Sequence, residues 1–496
     1  MRKSACFLVV AAIVGGASMV SSEASAAGLY FSDRGVRPVG RAGAFVAGAD
    51  DLGAIWYNPA GIAFAGNSFL FDASYLRFGS TFQRRTAVHD PSTGAETIQG
   101  SNYFPEVKGT SPLIPLPTIA ISNNFGLENW NFAFGMMAPY SALTTYPEEQ
   151  IDFQGRKVPA PQRYSLITLN GSALVVLSLN AAWKPSDKFA IGAGLQMLTG
   201  TFVSKLAFSA CPPDRFVCSA EQPDYDALAQ LHVGPIFAPS GNFGMIGVVS
   251  DSPTSEVRLG AMVQLPFWIN AKATTKMQLP TAPIFANASV DGQDATVSFR
   301  LPPIVRLGIE TRLGSRKQTR LETSFFYEAW SLHDSITIKP AGNGIYLNNV
   351  TGFPPSYQVG TLTQPRGFRD TYSIHGGIEH TFELDGYDLS IRGGASYEKS
   401  AVPPSYLSVL TVDLDKVQIA LGGSLFIGQK KQLRLDLVIA HTFGFTTDVD
   451  PHEAAIGHVK VVRANDPKND ADVVKVNGGT YTAHADVVGV GLNWKY

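Results

Sequence analysis

The sequence predicts an all-β fold, a 14-stranded antiparallel transmembrane β-barrel, on three observations. An export signal heads the chain, no later stretch is apolar enough to cross a bilayer as a helix, and alternation of apolar with polar residues recurs along the second half up to the last residue. Composition agrees. Only 16% of the 496 residues are charged, against about a quarter in soluble domains. The 39 basic and 41 acidic residues leave a net charge of -2, so no field steers nucleic acid to this chain, and no polybasic run acts locally. With 48 glycines, 30 Phe and 17 Tyr, the chain suits strands with two unlike faces.

The first element is residues 1–26. Arg2 and Lys3 precede an apolar run from Phe7 to Val20, and Ala24-Ser25-Ala26 forms a small-residue cleavage site, the pattern of a secretory signal peptide. The run falls short of the roughly 20 residues that a spanning helix needs. Cys6 precedes the apolar run and cannot be a lipoprotein cysteine, so Cys211 and Cys218 remain after export. An oxidising compartment favours a disulfide that staples their loop; two free thiols are the alternative. No further ligands are spaced to complete a metal site, so neither metal nor cofactor is expected.

The mature chain must therefore cross the membrane, if at all, as a closed sheet, because lipid satisfies no backbone group. Strands are expected near 68–84, 114–125, 130–139, 163–184, 188–208, 241–250, 255–277, 296–314, 318–333, 370–384, 386–399, 414–428, 430–446 and 480–496. In one of them Leu433, Leu435, Leu437 and Ile439 oppose Arg434 and Asp436; in another Arg320, Glu322 and Ser324 oppose Leu321, Thr323 and Phe325. An even count, with short turns such as Lys184-Pro185-Ser186-Asp187 alternating with long polar loops, fits a bacterial outer-membrane barrel with its turns in the periplasm. The last segment places Val488, Val490, Leu492, Trp494 and Tyr496 on one face, an aromatic end of the kind presented to the barrel assembly machinery.

Between signal and barrel lies a Gly- and Ala-rich stretch without alternation. It holds Gly40-Arg41-Ala42-Gly43, Asp50-Asp51 and then Trp56-Tyr57-Asn58-Pro59-Ala60-Gly61. This arrangement resembles the FadL/TodX family of outer-membrane transporters for long-chain fatty acids and hydrophobic compounds. Further similar elements follow in family order: Phe134-Gly135-Met136-Met137-Ala138-Pro139-Tyr140 in the third strand, Gly192-Ala193-Gly194-Leu195 in the fifth, Gly367-Phe368-Arg369-Asp370 entering the tenth, and Ser400-Ala401-Val402-Pro403 after the eleventh. The resemblance implies that 27–66 is a hatch plugging the lumen and 67–496 the barrel. It implies a gating role for Asn58, Pro59 and Ala60, with the Asn58 amide holding unpaired backbone of a kinked third strand. Gly135 and Pro139 would mark a lateral opening there. Arg369 and Lys205 would lie in the cargo pocket, and Leu29 at the hatch tip, where the family's best-known members carry Phe. Tyr496 ends the chain where Phe is usual.

Physical chemistry makes that function specific. Each buried methylene gains about 0.8 kcal/mol on leaving water, so a sixteen-carbon chain prefers apolar surface by roughly 10 kcal/mol. Passive uptake then becomes a handover between hydrophobic sites, ending with lateral exit into the bilayer. Ala229 to Phe237 and Gly352 to Tyr357 are expected as capture loops. A cargo carboxylate would need a cation. The long-chain fatty acid is the expected cargo, the outer-membrane lipids the surroundings and a monomer the expected state. Uptake of aromatic hydrocarbons is the alternative within the family; a general diffusion porin or an adhesin is the alternative outside it. An enzyme is disfavoured: His452-Glu453 with His458 misses the spacing of a zinc helix, and no Gly-x-Ser-x-Gly elbow is present.

Overall fold

The computed structural model describes residues 33–86, 88–89, 96–97, 104–111, 114–140, 144–147, 150–153, 155–211, 218, 221–428, 430–456 and 475–496. The expected signal peptide, Leu29 and His458 lie outside these residues. Fourteen antiparallel strands form a closed ring. They are β1 Ser68–Arg84, β2 Ile114–Asn123, β3 Trp130–Tyr140, β4 Ala173–Ser186, β5 Phe189–Ser209, β6 Asp226–Asp251, β7 Ser255–Gln264, β8 Ile304–Leu313, β9 Thr319–Glu328, β10 Thr371–Leu384, β11 Tyr387–Glu398, β12 Lys416–Ile427, β13 Leu433–Gly444 and β14 Gly479–Lys495. Each pairs with its sequence neighbours, and β1 closes on β14 with Ser68 opposite Lys495.

The alternation resolves into an inverted protein. Apolar side chains such as Leu195, Ile309, Ile391, Leu421, Leu437 and Val490 point outward and are exposed, while Arg434, Asp436, Glu322 and Arg392 are buried inside. Lipid on the outer face accounts for both. Short turns and the β1 and β14 ends gather at one rim, and the long loops at the other.

Several strands differ from the sequence reading, and prolines explain two of the differences. The expected strand 255–277 breaks at Pro266 into β7 and a separate strand Phe267–Gln278. Likewise 296–314 breaks at Pro302-Pro303 into strand Asp294–Leu301 and β8. Proline offers no N–H to a ladder, so at these points the chain leaves the barrel to form a hairpin, Phe267 opposite Leu301, above the β7–β8 pair. β6 starts fifteen residues earlier than expected, at Asp226, and runs through both levels, with a register shift opposite Gly200 and Phe202 of β5. β4 begins at Ala173 rather than near 163, and β9 stops at Glu328, before a 3-10 turn at Trp330–Leu332.

Residues 33–66 fill the lumen with little regular structure: α1 Val36–Val39, α2 Ala54–Tyr57 and a 3-10 turn Pro59–Phe64. Their backbone lies flat on the wall where the wall has glycine. A Cβ at Gly260 of β7 would come within 2.6 Å of the Val46 carbonyl oxygen; at Gly308 of β8, within 2.8 Å of the Val46 Cβ; at Gly377 of β10, within 2.9 Å of the Arg41 Cβ. Glycine usage in the barrel is thus partly a docking surface for a backbone.

Candidate functional site

The lumenal segment is held chiefly by ionised side chains. Arg37 bonds Asp50 at 2.6 Å, Asp51 at 3.0 Å and Glu379 of β10 at 3.1 Å. Arg41 bonds Glu310 of β8 at 3.1 Å and Glu322 of β9 at 3.0 Å. From the wall, Arg320 reaches Asp50 at 2.9 Å and Arg434 reaches Asp51 at 2.7 Å. Glu322 also accepts three backbone N–H bonds, from Val46 at 2.5 Å, Ala47 at 2.9 Å and Gly48 at 3.0 Å. Buried charges need such compensation, since each is strongly destabilising if left unpaired. Burial alone would raise the Asp50 carboxyl, but Arg320, Arg37 and Arg312 hold it well below the usual carboxylate range. For Asp51, Arg434 and Arg37 likewise outweigh burial and hold the carboxyl low.

The wall is weak on both sides of β3. The β2–β3 ladder runs to Thr118 opposite Met137 and no further. On the other side β3 shifts register against β4 between Met137 and Tyr140. Neither Pro117 nor Pro139 offers an amide hydrogen there. The Arg34 guanidinium fills the gap, donating from Nε to the Ala138 carbonyl at 2.9 Å and from Nη2 to the Pro139 carbonyl at 2.6 Å. Its own backbone is pinned by N–H donation to the Tyr57 hydroxyl at 2.8 Å. Gly135 lies lower on the same strand, where a Cβ would fall 2.8 Å from Ile55 Cδ1. Beside Arg34 opens a lumenal cleft of about 50 Å³, lined by Asp33, Leu76, Leu116, Glu398 and Lys416 among others.

Asn58 is fully buried, but it does not hold the third strand. Its amide donates to the Val46 carbonyl at 2.9 Å and to the Met245 carbonyl of β6 at 3.0 Å, and its oxygen accepts from the Ala60 N–H at 3.2 Å. Pro59 begins the 3-10 turn that contains Ala60 and packs against Gly192 and Gly244. The expected partner of the kinked strand is therefore replaced by Arg34, because the segment enters the lumen beside β3 and reaches β5 and β6 only some 24 residues later. A lone arginine gave no signal in the sequence; the ion network did, as the inward faces Arg320-Glu322 and Arg434-Asp436.

The two expected cargo cations are not brought together. Arg369 is exposed at the entry to β10, with its N–H on the Ala401 carbonyl at 2.8 Å. Lys205 is half-buried on β5, where its backbone pairs with Thr168. Three residues before Arg369, however, stands Arg366, which carries no motif. It is 3% exposed, its Cζ lies 4.8 Å from the centre of the Phe368 ring, and Nε and Nη2 find no acceptor among the described residues. Burial pushes its pKa down to about 10, so it stays charged at neutral pH. Phe368 packs against Trp330 and His333, and burial, aided by Arg366, lowers His333 to about 3 and keeps it neutral.

Above the barrel a narrow apolar crevice is lined by Phe208, Met277, Leu279, Phe285, Leu347 and others. Phe353 packs against the same cluster, whereas Ala229 to Phe237 belong to β6 and form no loop. Beside the crevice Cys211 and Cys218 form a disulfide, S–S 2.00 Å.

Comparison with known proteins agrees with this architecture. A family profile described as "Outer membrane protein transport protein (OMPP1/FadL/TodX)" matches residues 17–496. A Pseudomonas aeruginosa FadL homologue superposes with a TM-score of 0.68 at 15% identity, over 95% of this chain and 100% of that one. The Pseudomonas putida toluene transporter TodX gives 0.58 at 14% identity, over 96% and 99%. The Ralstonia pickettii toluene transporter TbuX gives 0.54 at 15%, over 93% and 99%. At such identities these structures speak for the fold alone, and comparison with curated sequences returned no significant match. The profile spans nearly the whole chain, and so this protein belongs to the FadL/TodX family of outer-membrane transporters of hydrophobic compounds.

Proposed function

We propose that this protein takes up long-chain fatty acids by passive diffusion, with residues 27–66 as the hatch and the β2–β3 seam as a lateral exit into the bilayer. The observation that carries the cargo is Arg366: a buried guanidinium without a carboxylate partner among the described residues, set among aromatic rings at the loop end of the barrel. A carboxylate would compensate that charge, while its hydrocarbon tail leaves water for apolar surface. The apolar cluster around Phe285 and Leu347 serves as the capture surface, the cleft beside Arg34 as the inner station, and Arg34 as the residue that closes the seam.

A monoaromatic hydrocarbon is the second reading. It is favoured by the apolar lining of the outer crevice, which asks for no headgroup, and by the toluene transporters among the structural relatives. Competition separates the two. Cells making this protein should take up labelled long-chain fatty acid, and unlabelled acid should block that uptake far better than toluene. Stronger block by toluene would overturn the fatty-acid reading.

A further inference from the structure

We propose that the outward face of the sheet that rises above β7 and β8 binds the phosphorylated headgroup of an outer-leaflet glycolipid. This goes beyond the transport reading and does not depend on the cargo. The sheet is built from strands Phe267–Gln278, Asp294–Leu301 and Ser335–Pro340, joined side by side. Its inner face is apolar and continuous with the barrel core through Ile269, Val297 and Ile338. Its outer face carries Arg300, Lys272, Lys276 and Lys339, all exposed, against one carboxylate, Asp294.

Register brings these cations together. Thr296 pairs with Lys272 on one side and Lys339 on the other, so the two lysines stand two strands apart at one level, about 10 Å. Arg300 is four residues from Thr296 on the same face, about 13 Å along the strand. Its Cζ stacks 4.5 Å over the Trp268 ring, the residue directly opposite it. None of the four cations makes an ion pair among the described residues, in contrast to the paired arginines of the lumen.

Height on the barrel selects the partner. Trp268, 60% exposed, Phe237, 66%, and Leu265, 54%, form the upper apolar border of the outer surface, where aromatic residues meet headgroups. Arg300 lies at that border, and Lys272 and Lys339 one step above it. Two phosphates on one headgroup are met at two levels, one by the guanidinium preoriented on Trp268 and the other by the two ammonium groups about 13 Å above it, and the glycan beyond meets a face otherwise made of Thr, Ser and Asn. A lipid phosphate is held at this level by its own acyl chains, whereas a soluble anion gains only the charge attraction.

The test uses the purified full chain in non-ionic detergent, titrated with a bisphosphorylated glycolipid and with the same lipid after enzymatic dephosphorylation, read by native mass spectrometry. The intact lipid is expected to bind roughly tenfold or more tightly than the dephosphorylated one. The difference should vanish in R300Q/K272Q/K339Q and persist in K272R/K339R. Should the triple variant lose its β circular-dichroism spectrum, the single variants K272Q and K339Q, each expected to weaken binding several-fold, decide the question in its place. Equal binding of the two lipids, undiminished binding by the charge-neutral variants, or full displacement by inorganic phosphate would overturn the proposal. Fatty-acid uptake is assayed in parallel, since its loss with lipid binding intact strikes the transport reading alone.

Discussion

At the scale of single residues, two arginines carry opposite predictions. Arg34 spends its guanidinium on the carbonyls of Ala138 and Pro139, which the β2–β3 and β4 ladders leave over. In Arg34→Ala those carbonyls lose their donors, at about 1–3 kcal/mol for each buried group. Amide exchange should quicken at 133–140 while the barrel's circular dichroism stays unchanged, and ion conductance should remain near silent because Arg37 and Arg41 still anchor the segment. Unaltered exchange at those amides would remove Arg34 from the gate. Arg366 differs, because two of its donors find no acceptor among the described residues and, on the function proposed above, take the cargo carboxylate. Arg366→Gln should weaken fatty-acid binding roughly 10- to 100-fold, the worth of a charge-assisted hydrogen bond. Binding of a fatty alcohol of equal length should barely change, and a fluorescent-probe competition assay reads both. Equal losses for acid and alcohol would reassign Arg366 to packing.

At the scale of elements, the barrel and the lumenal segment meet through glycines, and that contact is testable in isolation. Gly260→Leu or Gly308→Val would drive a side chain into the backbone at Val46 and Ala47. Overpacking of this kind costs about 1–3 kcal/mol, so the segment should dock less firmly and steady conductance should appear in planar bilayers. Gly247→Leu on β6, where a Cβ meets nothing within 4 Å, serves as the matched control. Legibility in the sequence also varies from element to element. Period-two alternation located most barrel strands because lipid and lumen impose opposite polarity on successive residues. It failed at Pro266 and at Pro302-Pro303, where apolar alternation continues across a break because the hairpin above the membrane also has one buried face. Asn58 was legible as a motif, but its partner was not: β3 and β6 are separated by about a hundred residues, and only the register tells which one the amide faces. Arg366 escaped notice because nothing local distinguishes a buried arginine from the exposed Arg369.

At the scale of the whole molecule, the lumenal segment is an electrostatic assembly inside an apolar shell, and its response to pH follows from that. Asp50 faces Arg37, Arg312 and Arg320; Asp51 faces Arg37 and Arg434. Both carboxyls are held below their ordinary values in the docked state. A group depressed on docking adds stability that is complete above its free pKa, near 4, and is lost as pH falls through the lowered docked value. Conductance should therefore stay near silent from neutral pH down to about 4 and rise only in stronger acid. Arg37→Gln tests the same network without acid. It takes one cation from Asp50, Asp51 and Glu379, leaving Arg312 and Arg320 on Asp50 and Arg434 on Asp51, so the loss stays below the roughly 3–5 kcal/mol of a fully broken buried pair, and it removes part of the force that keeps both aspartates ionised. The onset of conductance should then move to higher pH, while the β-sheet spectrum, which depends on ladder hydrogen bonds, stays as in the wild type. An onset unmoved by Arg37→Gln would mean that these ion pairs do not seat the segment, leaving the glycine-lined backbone contacts to do so.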